Sequence, residues 1–491
     1  LADRVALIVN NPVRDLASMV LLAYGLCQQG VKCFLVPLSI RSQELWALAP
    51  DLVLLPSFQP LFTRWIEPLH QAGMVIGLHD GEGSPATGID KYAASCIQDP
   101  RLRSMVDFVS TWGSEMLEHI RQQNVYPKAR VLETGTMRYD FYVEPWRRAI
   151  METTPGLDRY AQPMVMINTH YPRGNPGPGF GSFEQIYKLL LERGYTPAGA
   201  QEYLDQSKTA FQEMAGLANY LAERFPQATF IFRPHPFELL DTYRQLLKDL
   251  PNLRLVREGL VYGWLLRSVA VIHTGCLTGV EGAFVGIPGL MPSWFAQALG
   301  NEESKAVAEP FASPEALGDA LAAVLAGTYR RPERVEQVLK DFIARRFHAI
   351  DGLAWQRHVQ IIMEELDRPG AGAGREFCRD FLYGLQEPAT AGGYLLARLK
   401  KAWGMPPQWS LRQKKVVLDP VPERKLFDLE DARSMAEAIA ACDAERNQGL
   451  RMSLRPASYV EGDYICPYWG KSSVLELQGK EQNVEGDGKS C

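Results

Sequence analysis

The sequence predicts an α/β protein made of two Rossmann-like, doubly wound parallel-sheet domains with a mainly helical C-terminal extension. Three observations predict it. Short, continuously apolar runs recur through the first 350 residues, the pattern of strands buried on both faces. Stretches with helical spacing separate these runs. The alternation pauses near residue 155 and then begins again.

Val5 to Asn10 is the first apolar run and reads as a buried strand. Leu16 to Gln29 has helical spacing, and Gly30 is a suitable stop. Strands follow at Val31 to Pro37, Leu52 to Pro56 and Met74 to Leu78, with helices at Glu44 to Ala49 and Phe62 to Ala72. Phe108 to Ser110 and Ala129 to Glu133 complete the first sheet. The second domain, 156–352, opens with the strand Met164 to Asn168. Thr169 to Ser182 is rich in Gly and Pro and reads as a loop or lid. Phe183 to Phe225 is mainly helical, with a break near Gly194 to Gly199. Strands at Thr229 to Phe232, Leu253 to Val256, Val269 to His273 and Ile287 to Met291 follow, then helices at Pro314 to Ala326 and Arg331 to Phe347. Residues 353–491 lack the alternation. They read as a separate helical extension (Leu353 to Leu366, parts of Glu376 to Trp403, Leu429 to Asn447), with a polar, disordered end from Leu477 to Cys491.

Composition narrows the classes. The chain has 491 residues and a net charge of −5, so no global basic field favours nucleic acid. Its eight Cys are scattered without CxxC pairs, which favours a reducing cytoplasmic setting over a disulfide framework. No run of about 18 apolar residues is present, so no spanning helix is expected. The opening Leu1-Ala2-Asp3-Arg4 leads straight into a strand and does not read as a signal peptide. A metal site is not expected: there is no DxD triplet, HExxH or zinc-spaced Cys/His cluster. The sequence also lacks a P-loop, and no GxGxxG follows the first strand.

Two strand ends carry the strongest chemistry. Thr229 to Phe232 runs into Arg233-Pro234-His235-Pro236, where the prolines end the strand and present Arg233 and His235 at its C-terminal edge. Ligands of open α/β sheets bind along that edge. Val269 to His273 runs into Thr274-Gly275-Cys276-Leu277-Thr278-Gly279-Val280-Glu281, which reads as a small-residue turn and a helix start suited to an anion. The competing reading is an Arg in a salt bridge, a packed His, and a helix start held by Thr278 and Glu281. In the first domain, His79-Asp80-Gly81-Glu82-Gly83 places two carboxylates in a glycine turn. Its alternative is an Asx-type turn with a solvated Glu82. His79 reads equally as a packed strand-end histidine or as a ligand. Asn168, Thr169, His170 and Asn175 read either as contacts to a donor sugar or as a polar loop.

Together these stretches resemble the bacterial surface carbohydrate biosynthesis proteins, GT-B glycosyltransferases related to the retaining β-Kdo transferases. The resemblance rests on His79-Asp80-Gly81-Glu82-Gly83, Glu133-Thr134-Gly135-Thr136-Met137-Arg138-Tyr139-Asp140, Ile167-Asn168-Thr169, Arg233-Pro234-His235-Pro236 with Glu238, and His273-Thr274-Gly275 with Thr278 and Glu281. It covers roughly residues 1–350. It implies two α/β domains with a cleft between them and a CMP-activated 2-keto acid sugar (Kdo or a nonulosonate) as donor, with no metal or other cofactor. It further implies that Arg233, His235, His273, Thr274, Gly275 and Thr278 hold the nucleotide, with Glu281 on the ribose. Asp80 would be the glycosyl nucleophile and Glu82 an acid/base or acceptor-orienting group. Where Gly81 stands the family often carries an acidic residue, which leaves the division of roles between Asp80 and Glu82 open. Arg138 and Asp140 are read as fixing an interdomain hinge. The partners implied are the nucleotide sugar and a glycan or lipid-linked glycan acceptor on the cytoplasmic side. The Arg-Pro-His-Pro turn also occurs in CDP-glycerol glycerophosphotransferases, so that activity stays open, as does a non-catalytic scaffold. Arg398, Lys400, Lys401, Trp403, Trp409, Arg412, Lys414 and Lys415 form a local basic and aromatic stretch. It reads as a solvated helix face or as a contact with anionic lipid at the inner face of the plasma membrane.

Overall fold

The structure, a computed structural model, describes residues 3–37, 48–56, 63–81, 96–178, 180–192, 194–295, 302–368, 429–443, 450–456 and 475–481, with a few isolated positions between them. Two compact units are present: Leu1–Ala149 with Ala344–Cys491 (unit 1), and Ile150–Ile343 (unit 2).

Unit 1 contains β1 (Arg4–Val9), β2 (Lys32–Pro37), β3 (Leu52–Leu55), β4 (Val75–Leu78), β5 (Phe108–Thr111) and β6 (Arg130–Glu133). They form a parallel sheet in the order β2-β1-β3-β4-β5-β6. Strands β1 and β3 are buried along nearly their whole length, which is why they read as unbroken apolar runs. Helix α1 (Pro12–Gln28) crosses back after β1. Pro12 suits its first turn, and the Asp15 carboxylate accepts the Asn11 amide at 2.9 Å.

Unit 2 contains β7 (Met164–Asn168), β8 (Thr229–Arg233), β9 (Leu253–Leu255), β10 (Ser268–Ile272), β11 (Gly289–Pro292) and β12 (Glu309–Phe311). All pair in parallel, in the order β12-β11-β10-β7-β8-β9. This is the Rossmann order, with its reversal between β7 and β10. The long helix α2 (Pro197–Arg224) covers one face and contributes Phe211, Met214, Ala218 and Leu221 to the core. Helix α3 (Leu277–Phe284) follows β10. The two units are thus Rossmann-like sheets of the GT-B-like class. They differ in strand order.

Residues 344–491 group with unit 1, where the sequence reading made 353–491 a separate extension. Packing explains the difference. Helix α4 (Ala354–Leu366) lies so close to α1 that a Cβ on Gly25 would sit 2.4 Å from the Trp355 ring. Asp140, read as part of a hinge, instead caps α4. Its carboxylate accepts the amides of Ala354 at 3.1 Å and Trp355 at 2.8 Å. Helix α5 (Leu429–Cys442) also packs on α1, and the Tyr24 hydroxyl donates to Asp443 at 3.0 Å.

The extension is not wholly helical. β13 (Leu450–Pro456) and β14 (Leu475–Glu481) form an antiparallel hairpin, and β14 pairs antiparallel with β2. Leu477 to Glu481, read as disordered, is therefore strand. A parallel-sheet edge exposes unpaired backbone groups, and this hairpin pairs them. The helix expected at Glu44 to Ala49 falls mostly outside the described residues. So does most of the basic and aromatic stretch, of which only Arg398 and Trp403 are described. Among the described residues no helix is long and apolar enough to cross a membrane.

Candidate functional site

In unit 2 the predicted residues gather at the C-terminal edge of the sheet, around the β7/β10 reversal. β7 ends at Asn168, and Thr169 and Tyr171 follow. β10 ends beside His273 and Thr274. The Tyr171 hydroxyl and Thr274 Oγ1 meet at 2.7 Å, joining the two diverging strand ends. Helix α3 begins just beyond, and its N-cap Cys276 makes no side-chain bond to the helix amides. Thr278 is buried in the first turn with its hydroxyl 2.9 Å from Cys276 Sγ. Glu281 is buried one turn further on.

Two histidines close the strand ends in the same way. The Phe237 amide donates to His235 Nδ1 at 3.2 Å, and the Gly275 amide donates to His273 Nδ1 at 3.0 Å. In each ring Nδ1 is the acceptor, so the proton resides on Nε2. Burial, with His170 and Arg257 nearby, pushes the His235 pKa down to about 3. Burial alone takes His273 to about 4. Both rings are therefore neutral near pH 7. His235 is half-buried and retains an Nε2–H donor, with the exposed His170 ring 5.2 Å away. His273 is fully buried and packs against α3, where a Cβ on Gly279 would fall 2.1 Å from its Nε2. That contact makes His273 a packing residue beneath the helix start.

Arg233 departs from the expected phosphate fork. Its Nη1 donates to the Glu258 carbonyl at 2.8 Å and its Nη2 to the Gly259 carbonyl at 2.5 Å. Burial lowers its pKa to about 10. Thus both terminal nitrogens hold the loop after β9. Asn175 is likewise committed: it donates to the Leu239 carbonyl at 2.9 Å and accepts the Leu239 amide on its own carbonyl at 3.2 Å. Asn168 is buried at the strand end, and its Oδ1 has no hydrogen-bond partner.

Glu238 organises the surrounding loop, a role that went unassigned when the motif was read from sequence. Its fully buried carboxylate accepts from the Thr169 hydroxyl at 2.7 Å, the Tyr171 amide at 2.6 Å and the Tyr243 hydroxyl. Thr169 Oγ1 accepts in turn from the His235 amide at 3.3 Å. Arg257 donates to the carbonyls of His235 and Glu238. The segment read as a lid is therefore pinned where it leaves β7. Tyr171 and Arg257 gave no sequence signal, since neither falls in a patterned position.

In unit 1, His79, Asp80 and Gly81 follow β4. They line a small cavity with Asp15 of α1, Ser110 and Trp112 at the end of β5, Thr136 and Arg138 after β6, and His358 of α4. Asp80 is buried, and its backbone carbonyl accepts from Trp112 Nε1 at 3.1 Å. Asp15 pairs with Arg14 at 2.5 Å. Glu82 lies outside the described residues. Sequence reasoning missed His358, because residues beyond 353 were assigned to a separate extension. Among the described residues no group of three or more His, Cys, Asp or Glu is placed to hold a metal ion.

No family model and no curated protein matches the chain. Among solved structures it is similar to a UDP-GlcNAc 2-epimerase from Methanocaldococcus jannaschii, with 9% identity, 74% of this chain and 100% of that chain covered, and a TM-score of 0.48. It is also similar to S. aureus MnaA in a co-structure with UDP, at 12% identity, with 74% and 97% covered and a TM-score of 0.46. A further similarity is to the wall teichoic acid polymerase TagF, at 14% identity, with 66% and 75% covered and a TM-score of 0.37.

Proposed function

We propose that the chain is a glycosyltransferase that takes a 2-keto acid sugar, Kdo or a nonulosonate, from a CMP-activated donor. One observation carries this reading. The family-like motifs that fall in unit 2 lie together at its topological switch point, where doubly wound sheets bind their ligands. There His235 offers a neutral Nε2–H donor, Thr274 offers a hydroxyl, and the start of α3 offers its dipole to the CMP phosphate. Glu281 is assigned to the ribose. Arg233 is assigned to holding the loop that backs this surface. Asn168 and Thr169 remain candidates for the donor sugar.

In this reading unit 1 supplies Asp80. Its carboxylate attacks the anomeric carbon, and the C–O bond to CMP breaks with its electron pair leaving on the phosphate. An acceptor hydroxyl then displaces the carboxylate, which gives net retention. Glu82 is assigned to proton transfer or acceptor orientation. The acceptor is a surface glycan or a lipid-linked glycan, and the reaction is placed on the cytoplasmic side. No metal is required if neutral donors and the helix dipole take up the phosphate charge.

A metal-free thermal-shift titration with CMP, CDP, UDP and GDP tests the reading. A ligand that binds only the folded chain raises its melting temperature. Greatest stabilisation by CMP supports a keto-acid sugar donor. Preference for CDP transfers the assignment to glycerophosphate transfer, which the Arg-Pro-His-Pro turn also fits. Preference for UDP or GDP, or no shift at all, removes the proposal.

A further inference from the structure

The unit 1 cavity has chemistry beyond a single carboxylate. Ser18, His79 and Thr136 line it, and all three are more than nine-tenths buried. Each carries a polar atom without a hydrogen-bond partner: Ser18 Oγ, His79 Nε2 and Thr136 Oγ1. Buried polar groups ordinarily find partners, so three orphans around one cavity mark a place for a ligand. The cavity volume is about 10 Å³. Space on that scale admits one oxygen atom and excludes a phosphate or a carboxylate.

Arg14 and Asp15 neutralise one another at 2.5 Å. His358 Nδ1 donates to the Ala354 carbonyl at 2.8 Å, and its Nε2 accepts from Ser110 Oγ at 3.0 Å. His358 is thereby fixed, and it meets the His79 ring edge-on at 6.1 Å between centroids. Burial and the neighbouring imidazole keep His79 uncharged at neutral pH. Both ring nitrogens of His358 are engaged, whereas the buried His79 Nε2 has no hydrogen-bond partner.

We propose that this cavity is a binding site for one neutral hydroxyl oxygen, held by His79 Nε2, Ser18 Oγ and Thr136 Oγ1 beside Asp80. Water and a carbohydrate hydroxyl share this chemistry. Use of the site by an acceptor sugar rests on the transferase reading; the oxygen site does not.

The test is a high-resolution crystal structure of the full chain, grown without polyols, and the same crystals soaked in glycerol. One oxygen is expected within about 3.2 Å of His79 Nε2 and of at least one of the two hydroxyls. Replacement of that oxygen by a glycerol hydroxyl supports a carbohydrate-hydroxyl site. Its persistence in glycerol supports a resident water. No oxygen in either crystal overturns the proposal. The double variant Ser18→Ala, Thr136→Val, with folding checked by circular dichroism, removes two partners and should abolish the oxygen. An oxygen unmoved in that variant overturns the assignment of its ligands. A chain without transferase activity that still holds the oxygen loses only the transferase reading.

Discussion

Single side chains in this protein divide between those spent on the scaffold and those left to act. Arg233 belongs to the first group. Replacing it with Met leaves the Glu258 and Gly259 carbonyls unpaired beneath the loop. We expect a loss of about 2–4 kcal/mol in urea denaturation, from two hydrogen bonds to a charged donor. Nucleotide affinity, measured by calorimetry on the folded variant, should change little. Unchanged stability with lost binding would instead make Arg233 a ligand. Asp80 is the nucleophile of the proposed reaction. Asp80→Asn should abolish transfer and leave the nucleotide-induced thermal shift intact. Loss of the shift would place Asp80 in nucleotide binding and sink its nucleophilic role. Residue types were legible in the sequence at both positions, but commitments were not. An Arg before a Pro looks the same whether its partners are phosphate oxygens or two carbonyls more than twenty residues downstream.

At the scale of elements, the join between β10 and α3 is closely packed. His273 fills the space that a side chain at position 279 would need. Gly279→Ala forces a Cβ into the imidazole and should cost about 1–3 kcal/mol through overpacking. It should also weaken nucleotide binding, because the helix start moves with the ring. A variant with full stability and full affinity would remove this account. The buried parallel strands were legible because each is an unbroken apolar run, and Met164–Asn168 was located to the residue. β12 was not. Its sequence is Glu-Pro-Phe, three residues with no apolar run, and only edge pairing to β11 makes it strand. The β13–β14 hairpin was equally hidden. Its strands interleave Arg, Ser, Glu and Lys among Leu and carry no continuous apolar signal. The loop after β7 looked free because its anchor, Glu238, comes 69 residues after Thr169.

The whole molecule carries three deeply buried imidazoles: His79 with a pKa near 3, and His273 and His358 near 4. In an unfolded chain each would titrate near 6.5. Below that pH the unfolded state takes up protons that the folded state refuses. The stability these groups contribute is thus complete above about pH 6.5 and falls as pH drops toward their folded values. Each contributes a slope of about 1.4 kcal/mol per pH unit across that window. Urea unfolding at pH 7.5, 6 and 5 should show a progressive loss. Equal stability at pH 7.5 and 5 would mean that these rings are protonated, or exposed, in the folded protein.

The partition of the chain also sets an order of events during synthesis. Unit 2 is one uninterrupted stretch, so all its strands have left the ribosome once residue 343 and a tunnel's length of chain have been made. Unit 1 must wait. The Asp140 carboxylate finds the amides it caps only when residues 354 and 355 emerge, and the β2 edge gains its partner only with residues 475–481. The N-terminal segment of unit 1 therefore precedes unit 2 in the chain, while the partners that complete it follow unit 2.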